Sequence, residues 1–320
     1  MKKIMVLGAI SLNGHQQTRL AAHGDLKFHQ QLPSNRAALL ELLEDVNIAL
    51  LYEVPLDSDL LKAARHLEMI SLWSAGFDNV DLKAARELGI TVCHAPGCSA
   101  TAIAEHTIAA AIYFTHRLAE ADRHVRAGGY SWEAFNTPEL RGQTFGIIGL
   151  GRIGTRVAEY ALALGCRVIA YTRRPSPERA AALDLAFVEL KTLLRESDII
   201  SLNIALTPET AGLIGQKEFA QMERRPILIN TARGKVVDQT ALLTALERGQ
   251  IRAAALDVLC EEPPDVNEPL LKLENVLLTP HSAGSSRQAF ECLSELCVQN
   301  VEAFLAGKPQ YVITLSTTCA

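Results

Sequence analysis

The 320-residue sequence has no apolar run of bilayer length, no excess of positive charge, no cysteine framework and no internal repeat. Without about 20 consecutive apolar residues, no transmembrane helix is expected. With 31 Lys and Arg against 36 Asp and Glu, the formal charge is −5. That argues against a nucleic-acid role, because neutralising a phosphate backbone needs a basic surface. An anionic small molecule must then be gripped by local cations. The seven cysteines (Cys93, Cys98, Cys166, Cys260, Cys292, Cys297, Cys319) are odd in number and lack framework spacing, so reduced thiols in a cytoplasmic protein are expected. Neither Cys93-His94 with Cys98 nor Cys292 with Cys297 has zinc-site spacing, and no metal is expected. Lys2-Lys3 leads into a short apolar stretch without a small-residue cleavage pattern, which reads as a first strand and not as a secretory signal.

What is present is an ordinary enzyme-like balance of 48% hydrophobic and 21% charged residues, in a chain long enough for two domains. Short apolar segments at residues 4–10, 48–52, 69–73 and 90–94 alternate with helical patterns near 36–44, 58–65 and 82–88, the signature of a parallel sheet covered by helices. Pro96-Gly97 ends this pattern. An alanine-rich helix apolar almost all round follows at 99–116, and such a helix is usually buried. The stretch 126–141 is loop-rich and reads as a surface excursion or an oligomer-contacting arm.

Gly149-Leu150-Gly151-Arg152-Ile153-Gly154 stands between the apolar strand 145–148 and a helical pattern. Gly149 permits a tight turn, Gly151 lets the backbone approach a pyrophosphate, and Gly154 lets helix and strand pack closely. The helix N-terminus then offers unpaired N–H groups to the anion. A second apolar strand at 167–171 follows at βαβ spacing and places Thr172 where a ribose-reading residue belongs. An NAD site usually has Asp or Glu there, whereas this chain has Thr172-Arg173-Arg174. Guanidiniums and a hydroxyl suit a 2′-phosphate, so NADP(H) is the preferred cofactor, with NAD(H) as the alternative. Further strands at 198–204, 227–230, 253–258 and 276–279 make six, a full dinucleotide-binding sheet. The amphipathic stretch 285–306 has no place on that sheet and is expected to return to the first domain. The division is therefore a substrate domain of residues 1–97 and 286–320, and a dinucleotide-binding domain of residues 98–285.

Ligands of open parallel sheets bind outside the carboxyl ends of the strands. Three polar clusters fall at such ends: 230–234 with Arg233, 257–264 with Asp257, Glu261 and Glu262, and 279–284 with His281. Arg233 can grip a carboxylate and polarise a neighbouring keto oxygen. His281 can give and take a proton, and a carboxylate on its other ring nitrogen would hold its orientation. A lone His near a strand end is more often structural, and Glu261 competes with Glu262 for the carboxylate role. The joint occurrence at three strand ends favours function.

The chain resembles the D-isomer-specific 2-hydroxyacid dehydrogenases. The likeness lies in residues 149–154 (GLGRIG), 206–210 (LTPET), 230–234 (NTARG), 257–263 (DVxxxEP) and 280–284 (PHSAG), with support at 74–81 and 104–107. The first sixty or so residues carry little of it. The resemblance implies a Rossmann-type doubly wound parallel sheet inserted into a smaller flavodoxin-like α/β substrate domain. It implies Arg233, Glu262 and His281 as the catalytic trio, with the register of DVxxxEP selecting Glu262. Ala75 and Gly76 would help Arg233 bind the substrate. Gly149, Gly151, Arg152, Ile153, Gly154, Thr172, Arg173, Arg174, Leu206, Thr207, Thr231, Asp257, His281 and Gly284 would line the cofactor. A wall of the substrate pocket would include Leu72 and Trp73. The activity implied is reduction of a small 2-oxo acid to a D-2-hydroxy acid by a cytoplasmic homodimer, with neither nucleic acid nor membrane as partner. Thr172 makes the chain similar to the NADPH-using glyoxylate and hydroxypyruvate reductases, and Pro280, where formate dehydrogenases of this fold have Gln, argues against formate. A cofactor-sensing corepressor without significant turnover is the alternative that the resemblance leaves.

Overall fold

A computed structural model of the chain describes residues 1–33 and 35–314. The chain divides into two compact units, one of residues 1–99 with the described residues from Ser285 onward, the other Ala100–Gly284. The last six residues of the expected substrate domain, and Cys319 with them, lie outside the described residues.

The first unit holds five parallel strands, β1 (Lys2–Leu7), β2 (Gly24–His29), β3 (Ile48–Leu51), β4 (Met69–Leu72) and β5 (Thr91–Cys93), in the order β2-β1-β3-β4-β5. Successive residues of β1 enter opposite clusters: Met5 and Leu7 pack with Leu43, Leu51 and Ile70, whereas Ile4 and Val6 pack with Leu50, Met69 and Val298. Both faces of the sheet are covered, which is why these strands read as continuous apolar runs. Val298 belongs to the helix Arg287–Leu305, which packs on this unit. Trp73 Nε1 donates to Ser294 Oγ of that helix at 2.9 Å, and Arg19 forms ion pairs with Glu295 at 2.8 Å and Glu302 at 2.6 Å.

The second unit holds seven parallel strands, β6 (Thr144–Ile148), β7 (Arg167–Tyr171), β8 (Ala186–Phe187), β9 (Ile199–Leu202), β10 (Ile227–Asn230), β11 (Ala253–Leu256) and β12 (Val276–Leu278), in the order β12-β11-β10-β9-β6-β7-β8. Alternation again splits its core: Ile147, Ile227 and Ile229 face one helical layer, and Ile148, Ile200 and Leu228 the other. The reversal between β9 and β7 around β6 creates a switch point at the carboxyl end of β6, where ligands of doubly wound sheets bind.

Several expectations need correction. The sheet has seven strands and not six, because β8 is two residues long and carries no periodic signal. Strand β2 is likewise unannounced by the sequence pattern: it is a sheet edge, and half of its six residues are exposed. The helix Ala100–Thr115 is apolar almost all round, yet only Ala104, Thr107, Ile108, Ala110, Ala111 and Thr115 are buried; it packs on the helix Arg152–Ala163. Finally, the thiols are not all reduced. Cys98 and Cys292 form a disulfide 194 residues apart in sequence, a separation that local spacing cannot reveal, while Cys93, Cys166, Cys260 and Cys297 are free.

Candidate active site

The glycine turn follows β6 and opens the helix Arg152–Ala163. Gly149 sits at φ +93, and a Cβ there would lie 2.5 Å from the Asn203 carbonyl oxygen. A Cβ at Gly154 would lie 2.0 Å from the Gly149 carbonyl oxygen, so helix and turn touch backbone to backbone. At Gly151 a Cβ would meet nothing within 4 Å. The residue caps the helix without a side-chain bond, which leaves N–H groups of the first turn, Arg152 and Ile153 included, facing an open space. Two buried acceptors along the same sheet edge, Asn203 Oδ1 and Thr231 Oγ1, have no hydrogen-bond partner among the described residues. Such orphaned groups are costly unless a ligand satisfies them. The edge therefore fits a dinucleotide.

Beyond β7, Thr172 is half-buried and Arg173 and Arg174 are exposed. Thr207 Oγ1 donates to Glu209 Oε2 at 2.7 Å, and its backbone N–H donates to Thr210 Oγ1 at 2.8 Å. That hydroxyl contact, with the nearby Arg173 charge adding to it, holds the Glu209 carboxyl below its ordinary range. Leu206 packs at the edge of the core beneath this loop.

The three polar clusters lie at the carboxyl ends of β10, β11 and β12, which are consecutive neighbours. Asn230 shapes the first loop, accepting from Ala232 N and donating to the Arg233 carbonyl, each at 3.0 Å. Arg233 is half-buried, and its Nη1 donates to Ala232 O at 2.8 Å. A Cβ at Gly234 would lie 2.0 Å from the Leu259 carbonyl carbon, so the Arg233 loop presses directly on the loop that carries Glu262. Burial pushes the thiol of neighbouring Cys260 up and keeps it protonated, unlike a reactive cysteine.

Glu262 reaches both ways: Oε1 accepts from Leu259 N at 2.8 Å, and Oε2 meets His281 Nδ1 at 2.7 Å. Glu261 makes no such bond and points to solvent. His281 sits at φ +52, a conformation rare for a side-chain-bearing residue. Its backbone N–H donates to Asp257 O at 2.9 Å and Thr279 O at 3.0 Å. The buried Asp257 carboxylate accepts from Thr279 Oγ1 at 2.5 Å and from Ser282 N and Ala283 N at 2.9 Å each. Its oxygens are thus engaged by the loop that runs to Gly284, and Asp257 is visible first as the residue that shapes the His281 turn. His106 Nε2 lies 3.3 Å from the same Thr279 hydroxyl. Asn230, Thr279 and His106 were not singled out as site residues from sequence, although Asn230 and Thr279 stand inside the polar clusters.

A family model described as "D-isomer specific 2-hydroxyacid dehydrogenase, NAD binding domain" matches residues 108–283. The chain belongs to this family. It is accordingly a nicotinamide-dependent oxidoreductase of the CH–OH group. A glyoxylate reductase of Korarchaeum cryptofilum is 36% identical over 300 residues, covering 91% of this chain and 90% of that protein. A D-3-phosphoglycerate dehydrogenase of Archaeoglobus fulgidus is 40% identical over 257 residues, covering 80% of this chain but only 49% of the other, so the chain spans about half the length of that relative. Among solved structures, an acyclic imino acid reductase in complex with NADPH and D-Arg superposes with a TM-score of 0.90 at 29% identity, covering 98% of this chain and 100% of that one.

Ala75 and Gly76 lie in the first unit, in the loop after β4, where Ser74 Oγ donates to Gly76 O at 2.6 Å and His94 Nδ1 meets Ala75 O at 2.9 Å. Leu72 and Trp73 are 1% and 2% exposed, and the indole N–H is engaged by Ser294. They belong to the core of that unit, not to a pocket wall, because β4 is covered on both faces.

Proposed function

We propose that this dehydrogenase reduces a small 2-oxo acid of the glyoxylate or hydroxypyruvate kind to its D-2-hydroxy acid, with NADP(H) preferred over NAD(H). The observation that carries the reading is the 2.7 Å contact between His281 Nδ1 and Glu262 Oε2, residues that follow β12 and β11, with Arg233 following the next strand, β10. An ionised carboxylate can only accept, so Nδ1 carries the proton in that bond and Nε2 is left to exchange one with substrate. In reduction, protonated Nε2 delivers its proton to the substrate oxygen as negative charge develops there; in oxidation it removes the hydroxyl proton. Arg233 holds the substrate carboxylate by its planar fork and polarises the adjacent carbonyl. The dinucleotide supplies the hydride in one direction and accepts it in the other.

Unit Ala100–Gly284 serves as the dinucleotide-binding domain, and the first unit, with Ala75 and Gly76, as the substrate domain. Gly149, Gly151, Arg152, Ile153, Gly154, Leu206, Thr207, Thr231, Asp257, His281 and Gly284 line the cofactor. The absence of an acidic residue at Thr172 and the two following guanidiniums support the 2′-phosphate form. A homodimer is supported by the helix Leu118–Arg126, which buries none of its residues, and by Val125, Tyr130 and Trp132, which are 54%, 95% and 79% exposed; a second copy of the chain is the occupant of this face. No described helix is long and apolar enough to cross a membrane, and the reading places the protein in the cytoplasm.

The deciding experiment follows oxidation of NADPH and of NADH across a panel of 2-oxo acids, with light scattering in parallel. Turnover of glyoxylate or hydroxypyruvate with a lower KM for NADPH supports the reading. No turnover with any 2-oxo acid would favour a cofactor sensor, and a lower KM for NADH removes the NADP assignment.

A further inference from the structure

The opposite end of the second sheet carries charge that the reaction does not use. A cavity of about 650 Å³ is lined there by Glu139, Arg141, Asp198, Arg224, Arg225 and Arg252 among others. These residues immediately precede β6, β9, β10 and β11, four neighbours in the sheet, so the cavity runs along the amino ends of the strands while the glycine turn and His281 lie at the carboxyl ends. Asp198 is already engaged, accepting from Thr144 N at 2.8 Å and from Arg224 Nη1 at 3.2 Å. Arg225 Nε reaches only a neutral carbonyl, Gly249 O, at 2.6 Å. Among the described residues, Arg141, Arg225 and Arg252 make no ion pair with a carboxylate, and Arg141 and Arg252 have no side-chain hydrogen bond at all. The three side chains are exposed to solvent; partial desolvation lowers the Arg252 pKa, Asp198 raises it, and the like charge of Arg225 lowers it again.

Four guanidiniums and two carboxylates, those of Glu139 and Asp198, line the concavity, an excess of two positive charges in a chain whose net charge is −5, and Arg225 acts on Arg252 as a like charge. An ordinary solvated surface intersperses its signs, as the other faces of this protein do with pairs such as Arg156–Glu159 and Arg126–Asp122. An oxyanion would remove the repulsion and match the planar forks, and the volume suits a small metabolite. We propose that this cavity is a second ligand site, remote from the catalytic edge, which binds a small anion bearing two or more phosphate or carboxylate groups through Arg141, Arg225 and Arg252.

The test is thermal unfolding of the full chain with inorganic pyrophosphate, with citrate or with sodium chloride at equal ionic strength, compared between wild type and Arg141→Gln/Arg252→Gln. Anion bound at the glycine turn contributes equally to both proteins, so only the difference between them counts. The expected result is a rise in Tm of at least about 3 °C for wild type with pyrophosphate, citrate or both, largely lost in the double variant. Which anion acts distinguishes a phosphate from a carboxylate ligand. An equal rise in both proteins, no rise beyond that in chloride, or a change of oligomeric state in the variant in place of a lost anion response would each overturn the proposal. Should the double variant fail to fold, calorimetric titration of pyrophosphate and of citrate into Arg252→Gln decides between the same outcomes: weakening of at least about fivefold for either anion that wild type binds supports the site, and unchanged affinity, or no binding of either anion to wild type, refutes it. Because none of these residues belongs to the catalytic edge, turnover in the variants stays near wild type, and failure of this site leaves the dehydrogenase reading untouched.

Discussion

At the scale of single residues, the site depends on backbone that only particular side chains permit. His281 holds φ +52 because its N–H and the following two N–H groups are bound by Asp257, and that conformation brings the ring to Glu262. Replacing His281 by Ala should lower kcat by about 10² to 10⁴ while leaving the dissociation constant for NADPH within a few-fold of wild type, measured by steady-state kinetics and fluorescence titration. Near-normal turnover would remove His281 as the acid/base. These residues were legible in the sequence because their chemistry is scarce: an Arg, a carboxylate and a His at three strand ends have few joint structural explanations. The supporting amide and hydroxyl of Asn230 and Thr279 were not, since Asn and Thr occur at most strand ends and only the geometry shows what they bind.

At the scale of elements, strands buried on both faces announced themselves as apolar runs, and the glycine turn by its spacing. Edge strands did not: β2 is half exposed and β8 too short, so tertiary pairing and not local pattern decides them. The glycines of the turn make a sharp contrast. Gly154→Ala forces a Cβ to 2.0 Å from a carbonyl oxygen and should cost several kcal/mol, on the order of 2–4, seen as a lowered urea midpoint without cofactor. Gly151→Ala has open space around it and should leave that midpoint nearly unchanged while raising the Kd for NADPH at least about tenfold by intruding on the pyrophosphate. If both variants lost stability alike, the open space at Gly151 would not be a ligand cradle.

At the scale of the whole molecule, acid stability is tied to the helix Arg287–Leu305. Contact with Arg19 holds the Glu295 and Glu302 carboxyls below their ordinary value of 4.5 and raises the Arg19 pKa. Depressed carboxylates stabilise the fold at pH above their unfolded pKa, and that contribution is lost as pH falls through the folded values. Arg19→Gln should therefore lower stability near neutrality by on the order of 1 kcal/mol or less, the pairs being partly exposed, and the gap from wild type should close below about pH 4. Urea unfolding at several pH values checks this; a gap that persists unchanged in acid would assign the loss to packing and not to charge. The parallel, helix-covered character of both sheets followed from pattern and resemblance, whereas the sulfur pairing could not, because only the three-dimensional path brings Cys98 beside Cys292.

That pairing gives the chain an unusual covalent topology. Everything between residues 98 and 292, the whole nucleotide-handling segment, becomes a ring fastened at its neck. A protease that nicks any peptide bond inside the ring produces pieces that remain tethered, so a limited tryptic digest should run as one full-length band on a gel without reductant and separate into fragments once dithiothreitol is added. Separation in both lanes would show that the clasp is open in the isolated protein.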